Sequence, residues 1–291
     1  MTTHIDELMT FLSGSITPFH AVEVMAKTLQ GAGFEQLDQF DAVRMTPGKG
    51  YFVVHQGSSL MALRAGQSGV EAGLRLVGAH TDSPNLSVKP NPVKGRDGCI
   101  QLGVDVYGGA LLNPWFDRDL GMAGRVTLLT ADNTLLTTLF DTARAVAVIP
   151  SLAIHLDREA NSQRSINPQK DVVPLVMLGE HQQYDLKTWL AEELARTDSQ
   201  WQGARVMDYE LSLYDTQPPN QIGIDGDFIA SARLDNLLSC FAGMRALIDA
   251  DDAEWSLFVA TDHEEVGSAS TVGAQGPMLM DAFAALAPIQ S

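Results

Sequence analysis

Five side chains, scattered along the chain, share one kind of chemistry: His80 and Asp82, then Asp235, then the adjacent pair Glu264 and Glu265. An imidazole nitrogen and carboxylate oxygens together make a donor set for zinc or a similar divalent ion. A site for two such ions needs a carboxylate that bridges them, terminal ligands for each, and a base beside the attacking water. These residues fill each of those roles except two terminal ligands. Taken one at a time they carry less. A His-x-Asp is commonly a hydrogen-bonded pair, an Asp near a helix start commonly a cap, and a Glu-Glu pair commonly exposed charge. What unites them is that every cluster follows a strand or opens a helix.

The elements that must position them can be read from apolar spacing. The run 255–260 predicts a buried strand that delivers Thr261-Asp262-His263-Glu264-Glu265-Val266-Gly267-Ser268 to its carboxyl end, where open α/β sheets bind ligands. The run 74–78, apolar apart from Arg75, predicts a strand buried on both faces that leads into His80 and Asp82. Asp235 stands where Ser231-Ala232-Arg233-Leu234-Asp235 opens a helix expected to run through residue 248. Alternation beyond the 255–260 strand turns His263 away from Glu264, which gives His263 a structural role. Upstream, residues 5–12 have helical spacing. Thr17 and Pro18 read as N-cap and first helical position of a second helix that stops near Gly31 or Gly33. Strands are expected at 51–54 and 59–64.

From about residue 89 the character changes to turn residues between short segments rich in Val, Leu and Thr. Antiparallel strands are expected at 100–107, 125–129, 135–140 and 145–149, and strand-like segments around Tyr209 and around Tyr214. A polar loop, 158–171, follows His155, and 186–194 has helical spacing. After Pro218-Pro219 the α/β pattern returns, and an apolar segment, 278–287, comes last. The predicted organisation is an α/β domain in two sequence pieces around a β-rich insertion.

Composition narrows the class. With 45% apolar residues over 291 positions the chain can bury a real core. Thirty-six acidic residues against nineteen basic give a formal charge of −17, dispersed through periodic segments, which argues against nucleic acid or an anionic membrane as partner. The chain has no run of apolar residues long enough to span a membrane. Its start carries Asp6 and Glu7 where a signal peptide would be basic, so a cytoplasmic protein is expected. Cys99 and Cys240 each sit among apolar neighbours, and buried free thiols are expected rather than a disulfide or thiolate metal site.

Three ordered motifs, Gly78-Ala79-His80-Thr81-Asp82-Ser83-Pro84, Arg233-Leu234-Asp235-Asn236-Leu237 and Asp262-His263-Glu264-Glu265-Val266-Gly267-Ser268, together resemble the aspartyl aminopeptidase family of di-zinc peptidases. The likeness extends through Tyr107-Gly108-Gly109, Trp115-Phe116-Asp117-Arg118-Asp119-Leu120 and Ile149-Pro150-Ser151-Leu152-Ala153-Ile154-His155-Leu156. The resemblance implies an α/β fold, with a mixed-sheet zinc-peptidase catalytic domain in residues 1–90 and 225–291 interrupted by a β-rich dimerisation domain in 91–224. It implies a metalloaminopeptidase that removes amino-terminal Asp or Glu from peptides with water activated by two Zn2+ ions. By similarity His80 binds one zinc, Asp235 bridges both, Glu265 binds the other and Glu264 is the general base. Asp82 orients the His80 ring. His155 reaches into the active site of a neighbouring subunit of a homo-oligomer built from dimers; read without the resemblance, it is a hydrogen-bonded histidine on a strand.

The resemblance also carries a departure. Family members continue past the Glu-Glu motif to a further Asp and a late His ligand, whereas after Glu265 this sequence offers Asp281 as its one carboxylate and no histidine. The expectation is therefore an amino-terminal portion of such an enzyme, weakly metallated and poorly active by itself, with ligands and specificity pocket beyond Ser291. Two other classes fit parts of the pattern: a non-catalytic assembly partner of a full-length homologue, and another dinuclear hydrolase such as an amino-acid deacylase. The second leaves the signatures around Trp115 and His155 without a reason.

Overall fold

A computed structural model of the chain describes residues 4–38, 45–68, 73–179 and 184–286. It divides into two compact units, residues Met1–Ser83 with Pro218–Ser291, and Pro84–Gln217.

The first unit is built on a mixed sheet in the order β1 (Glu35–Leu37), β2 (Gly50–His55), β3 (Ser59–Arg64), β13 (Trp255–Thr261), β4 (Leu74–His80). Strand β13 runs antiparallel to β3 and parallel to β4. The pleat sends alternate side chains to opposite faces. Phe52, Leu60, Ala62, Phe258 and Ala260 meet α1 (His4–Gly14), α2 (Pro18–Gly31) and α4 (Leu234–Asp249) on one face. Tyr51, Met61, Leu63, Leu257 and Val259 meet α5 (Met278–Leu286) on the other. Strand β13 is buried along its whole length, as its run of Leu257, Phe258, Val259 and Ala260 demands. Fully burying a side chain such as Phe258 contributes roughly 1.5–3 kcal/mol, which is why the strand that carries the Glu-Glu turn is firmly seated.

Strand β4 departs from its expected burial. It stands at the end of the sheet order, and Leu76 and Val77 are 46% and 44% exposed. A run of apolar residues records what a strand could bury, not whether a neighbour covers it. Thr17 does take the N-cap position of α2, but its hydroxyl pairs with the His20 ring Nδ1 at 2.8 Å and makes no cap bond to the helix backbone.

The second unit is a six-stranded antiparallel sheet, β8 (Leu135–Asp141), β7 (Leu120–Leu129), β10 (Arg205–Asp215), β5 (Asn85–Arg96), β6 (Cys99–Tyr107) and β9 (Leu175–Leu178). Helix α3 (Leu186–Thr197) lays Leu186, Leu190 and Leu194, one per turn, into its core. Asp185 caps that helix by accepting from the Thr188 amide at 2.9 Å. Three expectations change here. Tyr209 and Tyr214 lie on one continuous strand with a register shift between Val206 and Asp208. Residues 145–149 form only isolated bridges, to Leu120, Phe116 and Leu175. Strand β5 went unread because Lys89-Pro90-Asn91-Pro92 falls in its irregular centre, between Val88 and Val93, where a proline costs no ladder bond. A separate hairpin, β11 (Asn220–Ile222) with β12 (Phe228–Ala230), returns the chain to the first unit. Ala287, the last residue of the expected apolar segment, lies outside the described residues. No helix among the described residues is long and apolar enough to cross a membrane.

Candidate metal centre

Strands β4 and β13 run side by side in the same direction, with His80 opposite Thr261, so both deliver their polar ends to one edge of the sheet. Thr81 donates its amide to the Thr261 carbonyl at 2.8 Å and its hydroxyl to the Ser58 carbonyl at 2.8 Å, which ties the two exits together. Beyond β13 the chain turns sharply through His263, in the left-handed region at φ 63°, into a short 3-10 helix, Glu264–Val266. Ser268 donates back to the His263 carbonyl at 2.8 Å, closing the turn. Gly273 passes so near this turn that a Cβ there would lie 2.2 Å from the Ser268 carbonyl oxygen, so no larger residue fits.

Asp82 is the hub. Its carboxylate is fully buried, and it accepts the amides of Glu264 at 3.2 Å and Glu265 at 3.1 Å. The same carboxylate lies 3.2 Å from His80 Nδ1, and the Asp82 carbonyl lies 3.1 Å from that nitrogen. A buried carboxylate persists only when hydrogen-bonded in this way. With Nδ1 engaged, His80 Nε2 is the nitrogen turned to the site, where it stands 3.5 Å from Asp235 Oδ1 and 3.7 Å from Glu264 Oε2. The His80 side chain is 13% exposed, whereas those of Asp235 and Glu264 are open to solvent. Burial alone lowers the His80 pKa. The hydrogen bond and charge of Asp82 and the charge of Glu264 outweigh it, and the net direction is up.

Helix α4 meets His80 from the other side. Asp235 and Asn236 have non-helical backbone angles at its start, and the peptide between them is cis. Asn236 Oδ1 accepts the His80 amide at 3.2 Å, its Nδ2 donates to Asp235 Oδ1 at 3.3 Å, and Cys240 Sγ donates to the His80 carbonyl at 3.1 Å. Cys240 is fully buried and its thiol is pushed up to about 12, first by burial and then by the Asp82 charge, so it stays protonated and able to donate. Asn236 lies inside the Arg233–Leu237 motif, and for Cys240 the sequence predicts only a buried thiol. Their i, i+4 spacing on a helix following the motif was the signal available. Cys99, expected to be buried, is half-buried.

His263 points its Nδ1 to the Ser270 hydroxyl at 2.7 Å, with Nε2 3.6 Å from Asp262 Oδ2. Asp262 is buried, and burial raises its pKa against the opposing pull of His263 and Ser58. Glu265 lends its amide to Asp82, and its side chain is half-buried. His155 belongs to the second unit and lies exposed on a turn rather than on a strand.

The donors fit zinc by type: an imidazole nitrogen whose partner nitrogen is fixed by a carboxylate, facing carboxylate oxygens. The approaches are pairwise. Among the described residues no group of three or more His, Cys, Asp or Glu is assembled closely enough to hold a metal ion. A cavity of about 370 Å³ opens beside the site, with His80, Glu264, Thr261 and Asn236 at its polar end and Leu76 and Met278 among its apolar walls. No Lys or Arg lines it among the described residues.

Residues 11–286 match the family described as aminopeptidase I zinc metalloprotease (M18). The chain is 50% identical over 283 residues to a probable M18 family aminopeptidase 2 of Pseudomonas entomophila, covering 97% of this chain and 66% of that protein, so it spans just under two thirds of that relative's length. Among solved structures, the one titled as the complex of Ape4 and Nbr1 superposes with a TM-score of 0.88 at 32% identity, over 97% of this chain and 58% of that one. The mApe1 dodecamer of Saccharomyces cerevisiae superposes with a TM-score of 0.80 at 26% identity, over 97% of this chain and 66% of that one. The mixed sheet with its helices is thus the fold of these aminopeptidases, and the chain belongs to the M18 family of aminopeptidase I zinc metalloproteases.

Proposed function

We propose that the protein is a zinc-dependent aminopeptidase and that its centre is the edge where β4, β13 and α4 converge. One observation carries the reading: His80, one ring nitrogen engaged by buried Asp82, presents the other to the carboxylates of Asp235 and Glu264. In this reading His80, Asp235 and Glu265 would hold the metal, two zinc ions per complete site, and Asp82 sets the ring angle of His80. Bound zinc supplies Lewis acidity to the scissile carbonyl and lowers the pKa of water.

Glu264 is the general base. Its side chain is more than half exposed and within 3.7 Å of the His80 ring, so it can take a proton from water and return it to the departing amine. Requiring a free α-amino group at the centre confines cleavage to the first peptide bond. The preference for amino-terminal Asp or Glu rests on the resemblance of the motifs, since the cavity beside the site is largely apolar. His155 sits among exposed Leu152, Ile154 and Leu156, a grouping suited to an interface, and in this reading it serves a neighbouring subunit of a homo-oligomer.

The test separates base from ligand. Glu264→Gln is expected to lower hydrolysis of an aspartyl chromogenic amide by about 10²–10⁴-fold with zinc content unchanged. His80→Ala is expected to lower zinc content itself. Full turnover by Glu264→Gln, or parental zinc content in His80→Ala, overturns the assignment.

A further inference from the structure

The outer edge of β4 ends in a problem that α4 solves. Because Thr81 gives its amide to β13, the alternation of a strand turns the amide and carbonyl of His80 to the opposite edge, away from the sheet. Strand β4 has no further strand there among the described residues. An unpaired amide and carbonyl at an edge leave the residue between them free to shift along the strand direction. Here both groups are taken by side chains one helical turn apart on α4: Asn236 Oδ1 receives the amide at 3.2 Å, and the Cys240 thiol donates to the carbonyl at 3.1 Å. The free end of the Asn236 amide then reaches Asp235 Oδ1 at 3.3 Å.

We infer that Asn236 and Cys240 form a helix-borne clamp, standing in for a missing strand, that fixes the backbone of His80 and, through Asn236, registers it against the Asp235 carboxylate. The inference rests on the reading of His80 and Asp235 as metal ligands. The two residues act through His80 and Asp235 and are therefore positioning residues. The ring of His80 is fixed from below by Asp82, but a ring held at one nitrogen can still translate with its backbone. The clamp removes that movement. It also explains a cysteine in this place: a protonated thiol is a long-reaching donor that an otherwise apolar helix face can bury. Both contacts, together with the Asp235 bond, lie within the first unit.

The experiment compares Asn236→Ala, Cys240→Ala and Cys240→Ser with the parent chain, using Co2+ as a spectroscopic probe. Expected are a metal dissociation constant about 10–100-fold weaker in both alanine variants and a changed Co2+ visible spectrum. Cys240→Ser, which keeps a donor, is expected to recover most of the parental affinity. Leu247→Ala, a buried residue of the same helix remote from His80, serves as the stability control: it should lower the melting temperature and leave the cobalt spectrum unchanged. A second readout needs no metal. In the metal-free chain, exchange of the His80 amide with solvent deuterium should accelerate at least about tenfold in Asn236→Ala relative to the Thr81 amide, which β13 protects. Parental cobalt affinity and spectrum in both alanine variants, in a protein where His80→Ala loses the metal, overturn the clamp and leave the metal assignment standing. If His80→Ala binds cobalt as the parent does, or the parent binds none, the metal assignment fails. The amide exchange then decides the clamp, with unchanged exchange overturning it.

Discussion

At the scale of single residues, His80 shows how one side chain's surroundings choose its chemistry. Burial would strip its proton, but Asp82 and Glu264 reverse the sign, so the folded ring holds a proton more tightly than the unfolded chain does. In the metal-free chain that proton stabilises the fold. Its contribution is fully present below the ordinary imidazole pKa of about 6.5 and is lost as pH rises through the higher folded value. Zinc needs the neutral ring, so proton and metal compete. Two outcomes are expected. In chelator-treated protein, the stability advantage of the parent over His80→Gln, read from urea unfolding, is largest in mild acid and narrows toward alkaline pH. In zinc-loaded protein, lowering the pH releases metal. A stability difference that grows with rising pH contradicts the assigned direction. The hub role of Asp82 and the pairing of His263 with Ser270 were only partly legible: the sequence put Asp82 beside His80, but the Glu264 and Glu265 amides reach it across a gap of some 180 positions. Periodicity does not report such contacts.

At the scale of elements, the seat of β13 against α4 leaves no room for added volume. Gly243 lies on α4 facing the sheet, and a Cβ there would come within 2.7 Å of the Phe258 ring and 3.1 Å of a Val77 methyl. Gly243→Ala is therefore expected to destabilise the chain by about 1–3 kcal/mol, measured by urea unfolding, because a packed interior resists extra volume. A neutral or stabilising result would mean that helix and strand can separate at no cost. Such elements were legible where one face or both carry the burden of burial. The continuous run of β13, the i, i+4 leucines of α3 and the Pro18 start of α2 all announced themselves. The failures have a common cause. Strand β4 looked buried because Leu74, Leu76 and Val77 are apolar, yet covering depends on neighbours that composition does not name. Strand β5 hid behind two prolines at an irregularity, and the apolar residues 145–149 took their partners singly from separate segments. Pairing is settled between segments, and local pattern is silent about it.

At the scale of the whole molecule, the proposed assembly makes a prediction of its own. Leu152, Ile154 and Leu156 are 63%, 55% and 66% exposed, and they flank His155. If this segment is the interface of a homo-oligomer, Ile154→Asp should shift the particle to smaller mass in analytical ultracentrifugation while its circular dichroism stays parental, since burying an unpaired carboxylate there is costly. An unchanged mass would remove the segment from the interface. The order of strands in the first sheet has a different consequence, one of timing. Strand β13 lies between β3 and β4, yet it is synthesised after the entire second unit. At roughly 5–20 residues per second, the gap between the emergence of β4 and of β13 is on the order of ten seconds. For that interval β3 and β4 cannot meet the partner that separates them, and the carboxyl end of β4, with His80, waits for a strand not yet made. The second unit can fold meanwhile from contiguous sequence. The candidate centre thus takes shape on the ribosome only after the second unit has been made.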